Sequence, residues 1–222
     1  VKIIHKSGTD LLHLINEILD LSKIEAGKVT LDRSVFPVNE MQNEILQDFQ
    51  PVADEKKIDL SVTLAPGFPA LLYSDRNRLM QIIRNLVANA FKFTSAGGVT
   101  VRFGLPPADV AFYNEELNHA NSCFISVEDT GIGIPVDKLG AIFEAFQQAD
   151  GSISRRYGGT GLGLSISREL TRMLGGEIHV HSEVGKGSVF TLYLPLNKSK
   201  VSGEEPETVP PKKERQETAS ET

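Results

Sequence analysis

Along this 222-residue chain the spacing of apolar residues switches between helical and alternating periods, in an order that no regular strand-helix-strand repeat describes. From Ile4 through Leu11, Ile15, Ile18 and Ile24 the period is helical, and Leu12, Leu14, Leu19 and Leu21 widen the stripe. A helix this apolar needs partner helices, either preceding Val1 or from a second copy of the chain, and the run Glu25 to Gly27 gives it a stop. Beyond it, "VTLDRSVF" reads as a strand that Pro37 interrupts, "NEMQNEILQDFQPVADEKK" returns to helical spacing, and "IDLSVTL" alternates as a half-buried strand. After the turn chemistry of "APGFPA" and a short strand "LLYS", Asp75 opens a long helix whose apolar face is Leu79, Ile82, Ile83, Leu86 and Ala90. Strands follow at "GVTVRFGL", "CFISVED", "GEIHVHSE" and "GSVFTLYLPL", the last two as a hairpin. This order predicts an α+β fold, a two-layer sandwich of a mixed β-sheet packed under α-helices, preceded by one long bundle helix. The expected divisions are a helix over 1–27, a domain over 28–196, and a solvated tail or linker over 197–222, which has no aromatic residue and is rich in Glu, Lys, Pro, Ser and Thr.

Composition narrows the function classes. With 40% hydrophobic and 23% charged residues the chain can bury one good core. No apolar run approaches the ~18 residues of a membrane span, and no signal-peptide pattern is present, so a cytoplasmic segment without membrane contact is expected. A net charge of -6 with scattered basic residues argues against nucleic acid as a partner. The single cysteine, Cys123, has no disulfide or metal companion and reads as a small buried hydrophobe in a strand.

Three segments carry chemistry. "GGTGLGLS", residues 158–165, packs glycines densely before the helical pattern "LSISRELTRML", so that backbone N–H groups would meet an anion there. Its spacing fails the dinucleotide fingerprint, because Leu164 stands at the last glycine position, and no Gly-Lys-Ser/Thr exists for a P-loop. "DTGIGIP", residues 129–135, ends a strand with a carboxylate able to accept a purine's exocyclic amine, followed by glycines that offer a flat backbone wall; by itself it is also ordinary turn chemistry. Asn85 and Asn89 share one helix face, with Gln81 a turn earlier and Lys92 on the following turn. Carboxamides are poor helix formers, and grouped oxygen ligands of this kind suit a hard cation such as Mg2+.

In this order, "NRLMQIIRNLVANAFKFT", "DTGIGIP", "IFEAFQQAD" and "GGTGLGLS" resemble the N, first glycine, phenylalanine and second glycine boxes of sensor histidine kinases, members of the ATPase superfamily shared with Hsp90, type II topoisomerases and MutL. The resemblance spans residues 1–196, and "LLHLINEILDLSKIEAG" is similar to the second helix of that family's dimerisation and phosphoacceptor domain. It implies a Bergerat-type ATP-binding fold with ATP and Mg2+ as ligands. It further implies that Asn89 ligates Mg2+, that Asn85 helps order the metal and its waters, and that Lys92 contacts phosphate beside Phe93. Asp129 would bind the adenine amine, with Gly131 and Gly133 shaping the base pocket. Gly159, Gly161 and Gly163 would line the triphosphate, with Thr160 and Leu162 between them, and Arg155 would reach the terminal phosphates. Phe143 and Phe146 resemble the phenylalanines at the base of the mobile ATP lid; core packing is the alternative for both. Asn85, Lys92 and Arg155 are thus the implied catalytic residues, on a chain that would form a homodimer through its N-terminal helical bundle and serve a response-regulator receiver domain, in trans or fused downstream.

The chain departs from the family pattern twice. Residues 106–121 are longer than the pattern needs, and no histidine is followed by the acidic residue of the phosphoacceptor motif: His5 precedes Lys6, His13 precedes Leu14, His119 lies in the inserted stretch, and His179 and His181 alternate on a late strand. The leading expectation is the catalytic portion of a histidine kinase whose acceptor histidine lies outside this chain. Two alternatives stay open: a gyrase- or Hsp90-like ATPase, which usually has Glu where Asn85 stands, and a degenerate nucleotide-binding scaffold.

Overall fold

The computed structural model describes residues 8, 11, 12, 15, 18–24, 26–145 and 161–197. The N-terminal helix, α1, is helical at residues 18–24. Its end is closed by Gly27, at φ 63°, whose N–H donates to the Ile24 carbonyl at 2.9 Å while that of Lys28 reaches Lys23. Leu11, Leu12, Ile15, Ile18 and Leu19 are exposed, whereas Leu21 and Ile24 pack against the core of the following domain.

That domain runs β1 (Ser34–Pro37), α2 (Val38–Lys56), β2 (Asp59–Leu64), β3 (Leu71–Ser74), α3 (Arg76–Phe93), β4 (Gly98–Gly104) and β5 (Ser122–Asp129). Two 3-10 turns follow, at Val136–Lys138 and Ala141–Phe143, and then α4 (Gly163–Met173), β6 (Glu177–Glu183) and β7 (Gly187–Pro195). The strand expected across "VTLDRSVF" is confined to Ser34–Pro37, because the Asp32 N–H donates to the Asp75 carboxylate at 2.9 Å and leaves the strand path. β1 pairs only with β3, antiparallel, and Pro37 then caps α2.

The main sheet has the order β2-β4-β5-β7-β6, with β2 and β4 parallel and every other pair antiparallel. Because side chains alternate across a strand, Val99, Val101 and Phe103, Cys123, Ile125 and Val127, and Phe190, Leu192 and Leu194 form one buried face. Above it α3 buries Leu79, Ile82, Ile83, Leu86 and Ala90 and also packs against α4. Each of these Leu and Ile side chains contributes about 1.5–3 kcal/mol on burial, which fixes the height and rotation of α3 over the sheet. The fold is the expected mixed sheet under helices, and Cys123 lies buried in β5 as expected.

Residues 105–121 contain no regular element and cover one end of the opposite sheet face. Phe112 meets Tyr193 edge-on with centroids 5.4 Å apart, and the Tyr113 ring lies 4.8 Å from that of His179. The anchor is Glu177, whose buried carboxylate accepts the backbone N–H of Tyr113 at 2.9 Å and of Asn114 at 2.7 Å, with His179 Nε2 at 2.7 Å. Truncating Glu177 to Ala leaves these donors without their charged acceptor and is expected to lower stability by about 2–4 kcal/mol. The same variant should open residues 105–121 to proteolysis; urea unfolding and protease mapping check both, and an unchanged digestion pattern would contradict the anchoring role.

Candidate functional site

The site is organised by the C-terminal half of α3. Asp75 starts this helix by accepting the Arg78 N–H at 3.0 Å, and the apolar stripe pressed on the sheet turns Asn85, Asn89 and Lys92 away from the core, each half-buried. Gln81, a turn earlier on the sequence, is engaged elsewhere: its amide donates to Asp20 of α1 at 3.0 Å and its oxygen accepts from Arg78 at 2.9 Å. At the helix C-terminus the Lys92 ammonium stands 4.9 Å from the Phe93 ring centroid, and partial burial holds its pKa below the ordinary lysine value.

Beside that end of α3, β5 delivers Asp129. Its carboxylate is buried and accepts the Gly131 N–H at 2.8 Å. Burial holds the carboxyl above its ordinary pKa, opposed by the backbone N–H groups of Gly131 and Ser188, with the charge of Glu128 adding to the rise. Gly131 is demanded by crowding, since a Cβ there would lie 2.5 Å from the Phe93 carbonyl oxygen and 2.7 Å from Asp129 Oδ1. Gly133 has φ 69°, and a Cβ on it would meet the Glu183 carbonyl oxygen at 2.1 Å. The loop is stitched to the β6–β7 hairpin: Ser182 Oγ accepts the Ile134 N–H at 2.7 Å, donates to the Gly187 carbonyl at 2.9 Å and lies 3.0 Å from the Ser188 hydroxyl.

The glycine-rich segment meets α3 at the other end of the site. Gly161 has φ 76°, Leu162 is fully buried, and α4 begins at Gly163. Asn85 Nδ2 donates to Ser167 Oγ of α4 at 2.8 Å, and a Cβ on Gly163 would lie 2.2 Å from Asn85 Oδ1. From Asn85 to Phe93 the helix rises about 12 Å, so the candidate site runs along α3, with a buried carboxylate at one end and a glycine turn leading into a helix at the other.

The structure therefore brings Asn85, Leu162 and Gly163 together, and separately Phe93, Asp129 and Gly131, with Asn89 and Lys92 on the helix between them. Phe143 is buried, edge-on to Phe190 at 6.4 Å and 5.8 Å from the Arg168 guanidinium, which is core packing at the margin of the site. Phe146, Arg155, Gly159 and Thr160 lie outside the described residues, as do His5 and His13. His179 is engaged by Glu177 and Tyr113 on the outer sheet face. Among the described residues no group of three His, Cys, Asp or Glu could hold a metal ion. Sequence reasoning missed Ser167, Ser182 and Ser188. The Asp129 to Ser188 register pairing has no local signal, although the glycine preceding Ser188 marks where backbone comes close.

Residues 74–198 match the family described as histidine kinase-, DNA gyrase B-, and HSP90-like ATPase. Sensor protein GacS of Pseudomonas syringae pv. syringae is 43% identical over 207 residues, 93% of this chain and 22% of that protein. Signal transduction histidine-protein kinase BarA of Escherichia coli strain K12 is 38% identical over 195 residues, 87% of this chain and 20% of the relative. Among solved structures, full-length ShkA in complex with AMPPNP superposes with a TM-score of 0.73 at 31% identity, over 88% of this chain and 38% of ShkA. The chain belongs to the histidine kinase-, gyrase B- and HSP90-like ATPase family, and it spans about a fifth of the length of the curated relatives it matches.

Proposed function

We propose that the chain is the catalytic portion of a two-component sensor histidine kinase, binding Mg-ATP and transferring the γ-phosphoryl group to a histidine outside this chain, for onward transfer to a response-regulator aspartate. The observation that carries the reading is the arrangement along α3, with buried Asp129 at one end and Asn85 against Gly163 at the other. An acceptor of a purine amine is needed at the first position and backbone donors for phosphates at the second. Asn85 holds the position from which a hydrolase would deprotonate water, and a carboxamide has no affinity for that proton, which favours transfer to a protein side chain over hydrolysis.

In this reading Asp129 accepts the adenine amine, Gly131 and Gly133 let the base lie against backbone, and Phe93 borders it. Asn89 and Asn85 offer oxygens to Mg2+ and its waters, and the carboxamide pair suits a cation that keeps water and phosphate as its other ligands. Mg2+ supplies charge neutralisation on the phosphates, and Lys92, Arg155 and the N–H groups from Gly159 to Gly163 hold the phosphoryl group in line. Phe146 stands at the base of the lid, and Thr160 and Leu162 lie between the glycines that line the triphosphate. Residues 1–27 are assigned to the second helix of a dimerisation and phosphoacceptor hairpin, 28–196 to the ATP-binding domain and 197–222 to a linker. The partners are a second copy of the chain, through the helical bundle, and a receiver domain. No helix among the described residues is long and apolar enough to cross a membrane, and the segment is proposed to act in the cytoplasm.

The pKa shifts give this site a pH signature. Binding of the adenine amine requires ionised Asp129, whose carboxyl titrates above its ordinary value in the free protein, so ATP affinity should fall on acidification through that raised pKa. Binding of phosphate requires protonated Lys92, held below its ordinary value, so affinity should also fall as pH rises through that lowered pKa. Calorimetric titration of Mg-ATP at a series of pH values checks this bell shape, and Lys92→Met should remove the alkaline limb alone. An affinity that does not vary with pH would contradict the placement of both residues. The function itself is tested by adding a fragment of the acceptor helix and looking for phosphohistidine.

A further inference from the structure

We propose that Ser167 is the positioning residue for Asn85, fixing which end of the Asn85 carboxamide faces the glycine turn; this rests on the reading of Asn85 as the residue that orders Mg2+ and its waters. A carboxamide has two unlike ends, an oxygen that only accepts and an NH2 that only donates. The two ends are nearly the same size, so shape alone does not choose between orientations related by a half-turn of the amide. One orientation offers an oxygen to a cation or a metal-bound water, and the other turns two N–H dipoles toward it.

The Ser167 hydroxyl can donate as well as accept; in the structure it accepts from the nitrogen end, and the oxygen end lies toward the N-terminal turn of α4, whose peptide dipoles favour an oxygen. Ser167 Oγ accepts from Asn85 Nδ2 at 2.8 Å, and the residue is only 1% exposed, so no bulk water replaces it. It lies on α4 one turn beyond Gly163, on the same helix face, so the two residues bracket the Asn85 amide. Gly163 provides the room: a Cβ there would come within 2.2 Å of Asn85 Oδ1, 2.9 Å of Cγ and 3.2 Å of Nδ2. With nitrogen held by Ser167, the oxygen is left on the Gly163 side, where the glycine turn enters the helix. The metal-ordering end of α3 and the first turns of α4 are thereby coupled through one buried hydrogen bond.

The experiment compares Ser167→Thr with Ser167→Val, which differ by a hydroxyl against a methyl at nearly equal volume. ATP affinity is measured in EDTA and across a Mg2+ titration. Ser167→Thr should keep the unmodified protein's gain in affinity on adding Mg2+, and Ser167→Val should lose about five- to tenfold of that gain with its EDTA affinity unchanged. Equal Mg2+ dependence in the two variants overturns the proposal. Ser167→Ala, which adds no volume, replaces Ser167→Val if the latter does not fold. Independently, in the metal-free unmodified protein, the Asn85 side-chain amide protons should exchange slowly by NMR; fast exchange overturns the proposal without any variant. If the unmodified protein binds ATP with no Mg2+ dependence, the metal-ordering reading of Asn85 falls and the proposal with it, whereas a Mg2+-dependent parent with indistinguishable variants removes the role of Ser167 alone.

Discussion

Asp129→Asn is expected to lower ATP affinity about 100-fold or more while leaving the domain folded. The carboxylate is buried and already accepts the backbone N–H groups of Gly131 and Ser188. A carboxamide of the same shape keeps one oxygen for those donors and would turn its NH2 toward the adenine amine proposed there, placing donor against donor at a buried position. The loss of a charge-assisted hydrogen bond, about 1.5–3 kcal/mol, combines with that clash. Stability should move the other way. Because burial raises the folded-state pKa of Asp129, its contribution to stability is lost as pH rises from the unfolded to the folded value, so at neutral pH a neutral side chain costs the fold less than the carboxylate does. Thermal unfolding should therefore give Asp129→Asn a melting temperature no lower than that of the unmodified protein. Calorimetry with ATP would show little heat, and an unchanged affinity would mean that adenine does not sit at Asp129.

Asn89→Ala should reduce the rate of phosphoryl transfer by about 100- to 1000-fold, the scale of removing one preorganised electrostatic contact from a transferring phosphoryl group. Its effect on binding should be narrower. Affinity measured in EDTA should be close to that of the unmodified protein, because the end of the site proposed for adenine is built from β5, the β6–β7 hairpin and Phe93 and does not involve Asn89. Affinity in Mg2+ should fall toward the EDTA value. Single-turnover transfer to an added acceptor helix, with binding measured in parallel, separates the two effects. Transfer that survives the substitution at an undiminished rate would remove Asn89 from the metal site.

Much of the site was legible because its signals are local. The face of α3 follows from helical spacing, which fixes Leu79, Ile82, Ile83, Leu86 and Ala90 toward the sheet and so places Asn85, Asn89 and Lys92 together on another side of the helix. Asp129 closes its strand, and Asp75 caps its helix, for reasons contained within a few residues of each. Contacts between distant segments were not legible. Gln81 shares the expected face with Asn85, yet Asp20 from α1 takes its amide, 61 residues away in sequence. The strand expected from Val29 onward shrank to Ser34–Pro37 because the Asp75 carboxylate, already a helix cap, also takes the Asp32 N–H. Ser167, Ser182 and Ser188 look like unremarkable serines in sequence. Each acquires its role only when α4 meets α3, or when β7 pairs with β5. The stretch from Pro106 to Asn121 was visible as an insertion, but its anchor, Glu177, lies more than 60 residues from Tyr113 and Asn114, which it holds.

Transfer of the γ-phosphoryl group of ATP to a histidine is the proposed activity that distinguishes this chain from a hydrolase. The measurement is incubation of the protein with γ-labelled ATP, Mg2+ and a helical fragment carrying a histidine followed by an acidic residue, with label on the fragment and inorganic phosphate followed together. Acid-labile, alkali-stable label is expected on the fragment's histidine, dependent on Mg2+ and absent with Asp129→Asn. Steady release of inorganic phosphate with no label on the fragment would contradict that activity and identify the chain as a hydrolase.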